Sequence, residues 1–163
     1  MLFERMPMGI AVLDSQFRIQ RFNPTWKDFS TQYAPPNSAP LVPGINYFDH
    51  LPGTEDTVIP HFKRVLAGET VQQKELKLVT GKKVSYWDVV LAPLIEDGKV
   101  NGILNVTVDA TERVEANQNL EHRVKERTSE LRTLLQVSQD INATLDIEAL
   151  LDMILDQLTI QNF

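Results

Sequence analysis

The glycines and prolines of this chain all lie before residue 111, and this division constrains the fold more than any other feature. Seven glycines and nine prolines occur up to that point, and residues 111–163 contain neither. A long segment without helix breakers, rich in helix-forming residues, predicts a long helix. The first part is instead divided by turn residues, as in a domain of short elements.

Within the first part, apolar periodicity switches from strand to helix and back to strand. Asn23 and Pro24 predict a helix start, because asparagine caps free amides and proline suits the first helical position. Gly68 predicts the end of a later helix. The pattern predicts two strands, short helices and three antiparallel strands, over residues 8–13, 16–22, 24–33, 46–51, 56–69, 71–79, 83–94 and 100–109. This order predicts one α+β domain.

The long helix carries apolar residues at alternating spacings of three and four, which we call the seam. Three polar residues interrupt it, and a polar residue at such a position can fix the register of a pair. A lone helix with so narrow an apolar stripe is marginal, so we expect a parallel homodimer through this helix. The seam consists of Asn117, Leu120, Val124, Arg127, Leu131, Leu134, Ser138, Ile141 and Leu145.

A second apolar stripe, the distal stripe, follows Asp146, which we interpret as the N-cap of a further helix. It is wide and too apolar to remain in water, so we expect it to be the first helix of another domain. The distal stripe consists of Ile147, Leu150, Leu151, Ile154, Leu155 and Leu158. The predicted division is therefore a domain over 1–111, a coiled-coil helix over 112–145 and the start of a following domain over 146–163.

Composition excludes several functional classes. The chain has no cysteine, which excludes disulfides, thiolate nucleophiles and cysteine-ligated metals. Its net charge is −6, and no basic patch with interleaved aromatics occurs, so a nucleic-acid partner is not expected. The longest apolar run, residues 89–95, is far shorter than the ~18 residues that span a bilayer. The N-terminus lacks a signal-peptide pattern, so we expect a cytoplasmic protein without a membrane segment.

Four segments in this order resemble the PAS sensor family. MGIAVLDSQFRIQRFNPTW is similar to its first two strands and helix start, and VSYWDVVLAPLIEDGKVNGIL to its fourth and fifth strands. DATER at 109–113 is similar to the motif that joins its sheet to an output helix. The resemblance implies a five-stranded antiparallel sheet with short helices on one face, followed by a long helix. The segment from Leu120 to Leu158 resembles the linker into a GAF domain in multidomain sensor histidine kinases.

The resemblance implies a sensory and dimerisation module that relays a signal through Asp109, Thr111 and Glu112 into the helix. Catalysis is not expected in this chain: TSELRTLL is similar to a histidine-kinase phosphoacceptor box, but Ser129 stands where the histidine would be. Kinase activity would belong to downstream domains of a longer protein. A diguanylate cyclase parent would carry the same module, and a purely structural dimerisation spacer is a further alternative.

Strand alternation places one set of side chains on a common inner wall, and helical aromatics can close it. This wall can form a small ligand pocket with Asn105 and Thr107 as its polar groups, or a filled core without a ligand. The candidates are Trp26, Phe29, Phe48, Phe62, Trp87, Val89, Leu91, Ile103, Asn105 and Thr107.

A cofactor is not the expected occupant, although flavin and haem are alternatives. Haem-binding relatives ligate iron from the helix of His61, at a position that aligns one turn earlier, near Thr57. The cysteine-dependent flavin subclass is excluded, and Trp87 and Thr107 stand at two of its flavin-contacting positions. His122 is expected on a solvated face, and no spacing of acids and histidines predicts a metal site.

Overall fold

The computed structural model describes residues 6–161. Five strands and four helices follow one another in the order of the sequence pattern. They are β1 (Gly9–Asp14), β2 (Ile19–Phe22), α1 (Pro24–Tyr33), α2 (Tyr47–His50), α3 (Glu55–Leu66), β3 (Val71–Thr80), β4 (Lys83–Glu96), β5 (Lys99–Asp109) and α4 (Thr111–Gln161). The predicted α+β fold is confirmed.

The five strands form one antiparallel sheet in the order β2-β1-β5-β4-β3. The last strand, β5, lies in the middle, between β1 and β4. Because alternate side chains of a strand face the same side, Trp87, Val89 and Leu91 on β4 share the buried face. α1 packs near β1 and α3 near the strands β3 to β5, so the inner face of the sheet meets the helices.

Asn23 joins the first strand to the first helix. Its side chain is fully buried, and its Oδ1 accepts from the backbone N–H of Ile10 at 2.8 Å and of Trp26 at 2.9 Å. Its Nδ2 donates to the carbonyl of Met8 at 2.9 Å. One side chain therefore caps α1 and holds β1 against it, which exceeds the capping role predicted from the sequence.

Contacts divide the chain into two units, up to Glu115 and from Ala116 onward. The second unit is the remainder of α4, and its seam and distal-stripe side chains are exposed. Leu134 is 65% exposed and Ile141 54% exposed. Among the residues from 6 to 161, no helix combines the length and the apolarity needed to cross a membrane.

The prediction that a separate helix begins at Asp146 is wrong. α4 continues through this residue to Gln161. The segment around it, NATLDI, contains no glycine or proline that would interrupt the backbone hydrogen bonds. Aspartate is favourable as a cap only where a helix already begins. The domain bounds of the sequence analysis remain a prediction.

Candidate ligand cavity and helix junction

A cavity lies between the inner face of the sheet and the helices of the first unit. The cavity has a volume of about 60 Å³, which is the space of about two water molecules. Its wall is mainly apolar and aromatic. The lining residues are Trp26, Phe29, Ser30, Tyr33, Tyr47, Leu51, Val58, His61, Phe62, Leu76, Leu78, Thr80, Ser85, Trp87, Val89, Leu91, Asn105 and Thr107.

Eight of the ten predicted pocket residues line this cavity: Trp26, Phe29, Phe62, Trp87, Val89, Leu91, Asn105 and Thr107. The other two lie elsewhere in the core. Phe48 makes ring contacts with Phe17, Tyr47 and Phe62. Ile103 is fully buried and pairs with Leu13 across the β1–β5 ladder. Placing Ile103 on the buried face was correct, but that face extends beyond the cavity.

Two parts of the cavity wall were not predicted from the sequence, namely those contributed by β3 and by the polar end of β4. Leu76 and Leu78 on β3 and Ser85 on β4 line the cavity. Alternation along β4 from Trp87 reaches Ser85 directly, so this residue could have been found. The wall residues of β3 are harder to predict, because the register of this strand shifts between Gln73 and Leu76 and the alternation of its side chains is broken there.

Three polar side-chain atoms of the wall are buried without a hydrogen-bond partner within the described part of the chain: Asn105 Oδ1, Thr80 Oγ1 and His61 Nδ1. Asn105 and Thr80 are each only 3% exposed. A buried polar group without a partner costs about 1–3 kcal/mol. Such groups are rare in folded proteins, and three on one cavity wall indicate a surface suited to a hydrogen-bonding occupant.

The cavity wall carries almost no charge. None of its lining residues is Asp, Glu, Lys or Arg, and His61 is the sole basic side chain on it. Burial raises the pKa of the Tyr47 phenol, so this group is neutral. The wall therefore offers hydrogen bonds and apolar contact, but no fixed charge to pair with an ionic group.

The wall does not fit either cofactor weighed from the sequence. His61 lines the cavity, where an axial haem ligand would have to be. The Trp87 ring, however, makes edge contacts with Phe29 at 5.3 Å and with Tyr33 at 5.2 Å between ring centroids. These rings occupy the space that a flavin or a porphyrin would need, and about 60 Å³ is too small for either. Among residues 6–161, no group of three or more histidine or acidic side chains could hold a metal ion.

The start of α4 is bound to the sheet by Thr111. Its hydroxyl accepts from the Tyr86 N–H at 3.0 Å and lies 3.4 Å from the Tyr86 carbonyl. The Ala110 N–H donates to the same carbonyl at 2.8 Å. Asp109 Oδ1 accepts from the Thr111 N–H at 2.9 Å. The helix thus begins directly after the last strand, as predicted, with Asp109 and Thr111 in contact with the domain and Glu112 exposed.

Tyr33 connects the cavity to this junction, and it was not among the pocket residues predicted from the sequence. Its ring lines the cavity beside Trp87. Its hydroxyl donates to Asp109 Oδ2 at 2.7 Å, on the same carboxylate that caps α4. Burial raises the pKa of the Tyr33 phenol, and the neighbouring Asp109 carboxylate adds to this effect, so the hydroxyl keeps its proton and acts as the donor.

Arg113 is a second contact that the sequence analysis missed. Its guanidinium binds both Asp88 oxygens, at 2.9 and 3.1 Å, and lies 3.6 Å from Glu75. Asp88 also accepts from the Glu75 N–H at 3.0 Å. The backbone hydrogen bond from Glu75, together with Arg113, lowers the pKa of Asp88. This carboxylate joins three elements, β3, β4 and α4.

The stability that Asp88 contributes depends on pH in a defined direction. Because its folded pKa is lowered, its contribution is fully present above the usual aspartate pKa of ~3.9 and is lost as the pH falls through the lower folded value. We expect Asp88→Asn to lower the melting temperature at pH 7, and the difference from the unmodified protein to vanish in acid. Asp28→Asn, an exposed aspartate on α1, is the control. An equal difference at every pH would contradict this role for the charge.

Comparison with known proteins identifies one family. The family profile described as PAS fold matches residues 3–115. The PAS domain of BvgS from Bordetella pertussis is 21% identical, with a TM-score of 0.51, covering 77% of this chain and 92% of that one. An RNA-binding light-oxygen-voltage receptor is 20% identical, with a TM-score of 0.52, covering 76% and 35% of the two chains.

A sensory box sensor histidine kinase from Vibrio cholerae is 13% identical, with a TM-score of 0.48, covering 68% of this chain and 86% of that one. No match was found among curated protein sequences. At these identities the solved structures are similar in fold alone. The profile match covers more than half of the chain and includes both the cavity and the helix junction.

Proposed function

The chain belongs to the PAS fold family, and from this premise we propose that it is the sensory and dimerisation module of a cytoplasmic signal-transduction protein, a sensor histidine kinase. The hydrogen-bond chain from Tyr33 through Asp109 to Thr111 carries this proposal. It links a side chain of the cavity wall to the first residue of α4. The kinase assignment rests on the resemblance of the seam segment to linkers of such kinases.

The seam supports dimerisation with a second copy of this chain. Its six apolar side chains are each more than half exposed in the single chain. Their spacing of three and four is the spacing that two helices bury against each other. Two identical seams in parallel would place Asn117 against Asn117, so that their side-chain amides pair with each other, and the same pairing is not available in a shifted register.

Signal transfer would begin with a movement of the cavity wall. An occupant that displaced Trp87 would displace the Tyr33 ring in edge contact with it. The Tyr33 hydroxyl would then lose its alignment with Asp109, and the cap of α4 would loosen. In a dimer, that change would shift or rotate the paired helices by a small amount.

Tyr33→Phe tests this route because it removes one hydroxyl and retains the ring. We expect faster hydrogen exchange at the amides of residues 111–115, by about tenfold, since a hydrogen bond to a charged group contributes about 1.5–3 kcal/mol and Tyr33 is partly exposed. Hydrogen–deuterium exchange with mass spectrometry measures the exchange rate of these amides.

Tyr86→Phe is the matched control, because Tyr86 contacts the junction through its backbone. It should leave the exchange of residues 111–115 unchanged. If Tyr33→Phe behaved in the same way as Tyr86→Phe, the hydroxyl would carry no coupling, and the alternative of a purely structural dimerisation spacer would be preferred.

The distal stripe supports a separate partner for the end of α4. Ile154 lies nine residues after Leu145, which is about two and a half turns of helix. The stripe therefore faces the side opposite to the seam, and one partner helix cannot bury both. We propose that the distal stripe packs in a downstream domain of the parent protein, which begins at residue 146. If the parent is a sensor histidine kinase, we propose that this domain is a GAF domain.

A further inference from the structure

We propose that the cavity binds a small uncharged molecule of about two to four non-hydrogen atoms, whose single amide or hydroxyl group hydrogen-bonds to Asn105. The inference rests on the proposed sensory function and names the chemical class of the signal. Size, polarity and charge of the wall each contribute an independent restriction.

Asn105 supplies the polarity. It lies on the central strand β5, between Ala11 on β1 and Leu91 on β4, so its side chain projects from the middle of the sheet. It is 3% exposed, and its Oδ1 has no partner within the described residues. A carboxamide offers both a donor and an acceptor, and an amide or alcohol can satisfy both.

The neighbours of Asn105 are apolar or already engaged. Leu91 pairs with Asn105 across the β4–β5 ladder, and Val89 pairs with Thr107, two positions along β5. The Thr107 hydroxyl lies 3.5 Å from the Gly9 carbonyl. The Trp87 Nε1–H donates to Ser85 Oγ at 2.8 Å. An occupant at Asn105 therefore meets one free amide among apolar or already bonded neighbours on β4 and β5, which favours a molecule with one polar group. The other two unpartnered atoms of the wall, Thr80 Oγ1 and His61 Nδ1, lie on β3 and α3.

The lack of fixed charge on the cavity wall excludes anionic ligands such as carboxylates and phosphates. Such a ligand would need a basic partner once it is desolvated. The cavity wall contains no Lys or Arg, and its single histidine, His61, provides no permanent positive charge. A cationic ligand is excluded in the same way, because the wall contains no Asp or Glu.

Size sets the upper limit. The cavity volume of about 60 Å³ is less than half of the ~150 Å³ of an apolar cavity that takes up benzene. Benzene has six non-hydrogen atoms, so a molecule of about two to four non-hydrogen atoms with one polar group is a suitable probe.

Acetamide and acetate, with four non-hydrogen atoms each, test the inference as a matched pair, because they have the same shape and differ in charge. The chain has two tryptophans, and both line the cavity, so their indole N–H signals in nitrogen-15 NMR spectra report occupancy. We expect acetamide to shift both signals with a Kd in the millimolar range, and acetate at the same concentrations to leave them unchanged.

Asn105→Leu provides the residue-level test. Leucine has nearly the shape of asparagine, so the variant removes the hydrogen bond without opening space. Acetamide affinity should fall at least about tenfold, while the melting temperature stays the same or rises by a few degrees because a buried unpaired amide is removed. Asn101→Leu, an exposed asparagine on the same strand, should change neither the affinity nor the tryptophan signals.

Two results would overturn the ligand class. Equal or tighter binding of acetate would mean that the cavity accepts an anion, and the absence of any shift with acetamide up to about 100 mM would mean that the core is closed to it. Neither result would alter the exchange effect of Tyr33→Phe, which is measured without ligand. Failure of the ligand class and failure of the sensory proposal are therefore distinguishable.

Discussion

Leu131→Asp combined with Leu134→Asp is expected to convert a dimer of this chain into a monomer. In a paired seam, four carboxylates would lie within a single heptad of the interface, two from each chain. Each would be desolvated and would face another like charge, so the paired state would lose several kcal/mol. Light scattering coupled to size-exclusion chromatography would report half the mass of the unmodified protein.

The matched control adds the same charge to the outer side of the helix. Ser129→Asp with Gln136→Asp places two aspartates at positions off the seam and should leave the mass unchanged. If the Leu131 and Leu134 variant remained a dimer, the interface would lie on the PAS domain or its N-terminal segment. If the unmodified protein were already a monomer, the dimerisation proposal would be wrong.

Asn23→Ala is expected to lower the free energy of unfolding by about 3–5 kcal/mol. The substitution would leave at least three backbone groups of the described residues without the partner that Asn23 provides, namely the N–H groups of Ile10 and Trp26 and the carbonyl of Met8. The site is fully buried, so water reaches these groups only if β1 separates from α1. Urea unfolding at one fixed protein concentration measures the loss.

Asn46→Ala is the control, because Asn46 also caps a helix. Its Oδ1 accepts from the Phe48 N–H at 2.9 Å and its Nδ2 donates to the Gln16 carbonyl at 3.2 Å. This site is partly exposed, so water can replace the lost bonds and we expect a loss of about 1 kcal/mol. Similar losses for the two variants would show that the burial of Asn23 adds nothing to its capping role.

The order of elements could be predicted because each has a local signal. Strand alternation, the Asn23–Pro24 start and the Gly68 end depend on neighbours in sequence, and all lie where expected. The break predicted at Asp146 was wrong, because the change in apolar stripe at that point is a change of helix face. A change of face alters what the helix contacts and leaves its backbone intact.

The cavity could be predicted in part, for the same reason. Side chains on β4 and β5 follow a period of two, and those predicted to face inward do so. Tyr33 and Arg113 could not be found in this way, because their partners are distant in sequence: the hydrogen bond from Tyr33 reaches Asp109, 76 positions away. Such contacts depend on how the elements pack, and a single sequence contains no periodic signal for them.

Because the helix from Thr111 to Gln161 is uninterrupted, insertions and deletions in this segment are restricted during evolution. Each residue inserted between the seam and the distal stripe turns one relative to the other by about 100°. Insertion or deletion of seven residues restores nearly the same angle, whereas one or two residues do not. The lengths of this segment in related chains are therefore expected to differ by multiples of seven residues.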